Sequence, residues 1–165
     1  FQNIYKKVIK PKTIKGIRDY FLKNWNTKNA GKQATKMTAT TKNILNKIIT
    51  TGQEEGLSHN DMVKELVKNI NGMTEQRAST IARTETSKSI NTTSYETAKN
   101  VMKEKCWIHV GGKKTYRPHH KAISNKWVDI NYKWKLKDGV EADYPHQDTL
   151  PVSEIVRCSC LIIFR

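Results

Sequence analysis

Cysteine is scarce in this chain of 165 residues: there are three, Cys106, Cys158 and Cys160. So small and odd a number cannot frame a domain of this length with disulfides, which excludes a cross-linked secreted module and points to a reducing compartment such as the cytosol. Long apolar runs are also missing. The opening FQNIYKKVIKPKTIKGI holds no uninterrupted apolar stretch of a signal peptide, and nothing approaches the roughly twenty apolar residues of a membrane span, so no membrane partner is expected. Internal repeats and low-complexity tracts are lacking as well. The chain starts at Phe1 rather than a methionine, which reads as a fragment or a processed product. Acidic residues are in deficit, with 15 against 30 Lys and Arg, for a net charge of +15.

That excess is uneven. Residues 1 to 56 carry 12 basic and 3 acidic side chains, residues 57 to 104 carry 7 and 6, and residues 105 to 165 carry 11 and 6. Lys6, Lys7, Lys10, Lys12 and Lys15 are interleaved with Tyr5, Ile9 and Ile14, a pattern suited to the phosphates of double-stranded DNA or of RNA. The same lysines also fit a merely solvated face. Lysine outnumbers arginine several-fold, which disfavours base readout by bidentate arginine, so any nucleic-acid contact should be non-specific.

Three regions follow from pattern. Residues 1–33 form a basic leading segment closed by a polar loop at about 26–33, 34–104 are helical, and 105–165 are rich in short strands that pack on the last helix as one domain with it. From Thr38, Ile44, Leu45, Ile48 and Ile49 recur at helical spacing and stop at Gly52 or Gly56. Ser58 and Asp61 make a capping-box pattern before Met62, Val63, Leu66, Val67 and Ile70, with Gly72 as the stop. Thr74 caps a third helix of about 28 residues whose apolar stripe is thin: Ala78, Ile81, Ala82, Ile90, Tyr95, Ala98, Val101 and Met102. Thereafter CWIHV, KWVDI, YKWKL and CLIIF read as strands. The expected class is α+β: N-terminal helices, one of them long, then a small, mostly antiparallel sheet. Trp107, Trp127 and Trp134 should fill its core, with Trp25 docking the basic arm.

Chemistry concentrates in TYRPHHKAI, residues 115–123, and EIVRCSC, residues 154–160. Cys158 and Cys160, one residue apart, share a face if extended, a geometry poor for a mutual disulfide but suited to shared metal ligation or plain core packing. Adjacent His119 and His120 should diverge, leaving one of them to face a pocket. On the long helix Glu85 falls with Ala78, Ala82 and Ser89 on the inward face, so its carboxylate needs a donor. Arg83, about 200° round, cannot be that donor.

The order IARTET on a long helix, CWIHV, YRPHHKAI and YPHQDTLPVSEIVRCSCLI resembles the C-terminal domain of phage minor head proteins, the Mu F-like head morphogenesis family. Its helix motif falls on Ala82, Arg83, Thr84 and Glu85, its tryptophan on Trp107, its Arg-x-x-His on Arg117 and His120, and its closing cysteines on Cys158 and Cys160. Ser159 stands where the family often has arginine, and Asn125 where a glycine often follows the spacer. The resemblance implies a head protein of the virion, in the host cytoplasm during assembly, associated with portal or capsid and contacting DNA, with no cofactor and no small-molecule substrate. Arg83, Glu85, Arg117, His120, Cys158 and Cys160 would then be a structural polar cluster, in which Glu85 bonds Arg117 or His120 and pins the loop. No catalytic residue is assigned. The alternative is a metal-independent, ribonuclease-like toxin domain, with His119 or His120 as general base, the other histidine or Glu85 as its acid partner, and Arg117 with Lys121 stabilising the phosphorane. A zinc site of His120, His146, Cys158 and Cys160 is a further option. Arg117, standing where some relatives resemble a Cys-x-x-Cys knuckle, cannot ligate and would repel a cation, so a metal-free site is the expectation.

Overall fold

The computed structural model describes residues 38–111 and 117–165. The basic arm with Lys6, Lys7, Lys10, Lys12 and Lys15, the loop at 26–33 and Trp25 lie outside the described residues. Three helices lead: α1 Ala39–Glu54, α2 His59–Asn69 and α3 Glu75–Ala98. Each begins where a hydroxyl can satisfy a free amide of the first turn. Thr38 accepts from Thr41 N at 3.2 Å, Ser58 from Asp61 N at 3.2 Å, and Thr74 from Arg77 N at 3.3 Å. Gly56 and Gly72 close the first two helices at φ 71° and 73°, backbone that a side chain would strain.

At 24 residues α3 is shorter than its pattern suggests, because the chain turns where the amides of Val101 and Met102 both reach Ala98 O. Val101 and Ile90, read as part of the inward stripe, are instead exposed. The face that α3 buries is largely polar: Thr84, Glu85, Lys88, Ser89, Asn91, Thr92 and Thr93.

Beyond the turn come β1 Glu104–Ile108, α4 Pro118–Ile123, β2 Trp127–Asp129, β3 Trp134–Lys135, a 3-10 turn at Lys137–Gly139, β4 Glu141–Ala142, α5 Val152–Ile155 and β5 Leu161–Phe164. β1 is the centre of an antiparallel sheet ordered β2-β1-β5, with Cys106 opposite Trp127 and Ile163, while β3 and β4 pair as a separate antiparallel hairpin. The fold is thus α+β, helices before small antiparallel sheets. Its core has two parts. One joins Leu45, Ile49, Met62, Leu66, Ala78 and Ala82 from the three helices with Ile70 and Met73 from the turn between the last two; the other joins Trp107, Trp134, Leu136, Tyr144, Ile155, Cys158, Cys160 and Ile162. Trp127 is only half-buried, under the Arg165 guanidinium at 4.5 Å. Among the described residues, no helix is long and apolar enough to cross a membrane.

Candidate functional site

Pro118 opens α4 at a position where a missing N–H costs nothing, and this single helical turn places His119 and His120 against α5. Arg117, just before it, donates from Nε and Nη2 to Ser153 O at 3.0 and 2.7 Å, and from Nη2 to Val156 O at 2.8 Å. A guanidinium thus satisfies carbonyls at the end of α5 and ties the two short helices together. Glu154, in the middle of α5, is buried. Both histidines reach its Oε2, His119 Nε2 at 2.7 Å and His120 Nε2 at 2.8 Å, with ring centres 4.7 Å apart and nearly perpendicular. The adjacent rings therefore converge on one carboxylate oxygen instead of diverging. Burial alone would raise the Glu154 carboxyl, but the hydrogen bonds and charges of His119 and His120 hold it below its ordinary value.

On its other edge His120, 1 % exposed, turns Nδ1 to two thiols. Cys158 Sγ and Cys160 Sγ each lie 3.6 Å from that nitrogen, and the three ligand-type atoms all sit within 4.8 Å of one another. Arg157, at φ 60°, turns the chain out of α5 so that Cys158 and Cys160 enter β5 with their sulfurs on one side. His109, at the end of β1, adds Nδ1 at 3.4 Å from Cys160 Sγ. Trp107 covers the assembly, its ring 5.1 Å from that of His120. The hydrogen bond from Cys160, then those from His120 and His146, push the Cys158 thiol well below its ordinary range, while Cys160 is pushed up by its bond to Cys158 and by burial.

Two expectations are corrected here. Glu85 is buried, but it shares a face of α3 with Ala82 of the helical core and with Ser89, which bonds Gln53 of α1 at 3.1 Å. Arg117 and His120 make their bonds to Ser153, Val156, Glu154 and the thiols, so Glu154 takes the place foreseen for Glu85. Arg83 is exposed. His146 is also redirected. Its Nδ1 accepts from Asn91 Nδ2 at 3.1 Å and its Nε2 donates to Cys158 O at 3.0 Å, so neither nitrogen is left to ligate.

Several decisive residues carried little signal. Asn91 donates to Cys160 O at 3.1 Å and accepts from Ile162 N at 3.0 Å, clamping the closing strand to α3. Lys88, fully buried, meets Asp148 at 2.8 Å. Lys105 donates to Asp143 O at 2.9 Å beneath the rings of Tyr95 and Trp134, and burial pushes its pKa down to about 8. Glu154 alone stood in a stretch already marked as chemical.

The fold joins a helical lead, a long polar-faced helix, and a short sheet closed by a Cys-x-Cys strand against an Arg-x-x-His turn. The Phage Mu protein F like family matches the chain over residues 42–163, so the chain belongs to that family of phage head morphogenesis proteins. Neither a curated protein nor a solved structure matches it.

Proposed function

We propose that this protein is a minor head protein of a tailed phage that joins the virion through portal or capsid proteins and holds DNA non-specifically through its basic arm. The observation that carries this reading is the net charge of +15, concentrated in the first third of a chain of this family. Lysines spaced through a short segment neutralise phosphates irrespective of sequence and release counterions as they do so. Binding should therefore be equal on duplexes of unrelated sequence and fall steeply with salt. Neutralising Lys6, Lys7, Lys10 and Lys12 should flatten the logarithmic salt slope by roughly 0.9 for each phosphate that the arm no longer engages. An unchanged slope would remove the arm from the reading.

A ribonuclease-like activity has one observation in its favour: His119 is half-exposed and hydrogen-bonded to Glu154, a base with an orienting carboxylate. Against it, the Arg117 guanidinium is committed to two main-chain carbonyls and His120 is sealed from solvent. Cleavage of tRNA in the presence of EDTA, lost in His119→Ala, would establish the activity; uncleaved tRNA would dismiss it.

A further inference from the structure

We propose that His120, Cys158 and Cys160 hold a zinc ion that closes the C-terminal half of the fold. Three features of the cluster point to a metal rather than to buried thiols packed as small apolar groups. Distance comes first. A tetrahedral zinc with Zn–S of about 2.3 Å and Zn–N of about 2.0–2.1 Å holds its sulfur and nitrogen ligands about 3.6 Å apart. Cys158 Sγ and Cys160 Sγ both stand 3.6 Å from His120 Nδ1, and the three atoms all lie within 4.8 Å of one another.

The second feature is the tautomer of His120. Glu154 accepts from Nε2, so in the neutral ring the proton sits on that nitrogen and Nδ1 presents its lone pair to the sulfurs. A carboxylate behind an imidazole whose other nitrogen faces thiols is the usual outer support of a metal-ligating histidine, raising its basicity and fixing its plane. The third is stoichiometry of bonding. One lone pair can accept one S–H, yet two thiols approach the same nitrogen at equal distance, which a single cation between them explains and an ordinary hydrogen bond does not.

The objection from Arg117 disappears in the fold, because its guanidinium is turned to Ser153 O and Val156 O. Two thiolates and an imidazole favour zinc over the harder magnesium or calcium ions. The thiols give up their protons to solvent as the metal enters, so the site would form with proton release. The ligands come from α4 and from the entry to β5, segments far apart in sequence. A bound ion would therefore hold together elements too short to be stable alone. This inference does not depend on DNA binding, which rests on different residues.

The test uses the whole chain, purified without chelator. Elemental analysis should find close to one zinc per chain, and cobalt(II) added to the metal-free protein should give thiolate-to-cobalt charge transfer and the intense d–d bands of a tetrahedral site. In mild denaturant, alkylation of Cys158 and Cys160 should be slower with zinc than after chelation. Since Cys158→Ser or Cys160→Ser can fail to fold, Glu154→Gln supplies a milder variant. It should weaken cobalt binding about 10- to 100-fold, the usual loss when an outer partner of a ligand is removed. A folded wild-type protein with far less than stoichiometric zinc and no cobalt bands would overturn the site. An unchanged cobalt affinity in Glu154→Gln would overturn His120 as the ligand that Glu154 supports.

Discussion

The helical core and the sheet-side core hold together by different means. In the first, Leu45, Ile49, Leu66 and their neighbours interdigitate from three capped helices, and burial of apolar area is the main stabilising term. In the second, strands of two to five residues are fixed by side chains reaching main-chain groups: Asn91 to Cys160 and Ile162, Lys105 to Asp143, Arg117 to Ser153 and Val156, His146 to Cys158. Short strands cannot satisfy their own amides and carbonyls, so polar side chains complete the pairing. α3 takes part in both, with Ala78 and Ala82 toward the helices and Asn91 toward the sheet. One half should therefore tolerate conservative apolar exchange, whereas the other depends on individual donors and acceptors.

That contrast can be broken. The largest effect is expected from Asn91→Leu, which leaves Ile162 N, Cys160 O and His146 Nδ1 without their partner. At about 1–3 kcal/mol for each orphaned buried group, a loss of roughly 4 kcal/mol should appear in urea unfolding, with amide exchange fastest in β5. A loss under about 1 kcal/mol would mean that the polar clamp is ornamental. Leu66→Ala, fully buried in the helical core, should cost about 2–5 kcal/mol, while Leu66→Met should cost under about 1.5. Similar costs for the two variants would contradict a core held by volume.

Lys105 sharpens the contrast through pH. Burial holds its folded-state pKa at about 8, against the ordinary 10.5 of the unfolded chain. Between those values the unfolded chain keeps the proton that the folded chain has released, so this residue makes stability rise with pH; below about 8 its penalty is fully present. The difference in unfolding free energy between the parent and Lys105→Met should therefore move in the parent's favour from about pH 8 to about pH 9.5. A flat difference would place the ammonium in a better-solvated or better-paired setting. The smallest effect belongs to a helix cap: Ser58→Ala should lose about 1 kcal/mol, with local fraying of α2 visible by amide exchange and the sheet side undisturbed.

Legibility followed the same division. The capped starts at Thr38, Ser58 and Thr74, the apolar spacing of Leu45, Ile49, Met62 and Leu66, and the stops near Gly56 and Gly72 are local signals, readable because a helix satisfies its own backbone. The strands CWIHV, KWVDI, YKWKL and CLIIF were also legible. α4, α5 and β4 were not, since elements of six, four and two residues carry too few positions for a period to show. At the site, the residue types were visible and their partners were not. Glu85 satisfied every one-dimensional criterion for the buried acid, yet Glu154 holds the histidines, because which face of α3 meets which loop is set by the packing of both cores.

By itself the sequence determined the α+β order, the capped helices, the family and the chemical inventory of Arg117, His119, His120, Cys158 and Cys160, all of which rest on composition, spacing or contiguous motifs. Only the tertiary structure decided that His109 meets Cys160, that His146 is bound to Asn91, and that His120 is gripped by Glu154 on one side and faces two thiols on the other. The physical reason is distance along the chain. Periodicity fixes neighbours a few residues apart, whereas a donor and an acceptor far apart in sequence meet only where burial of the apolar faces has already brought their elements together.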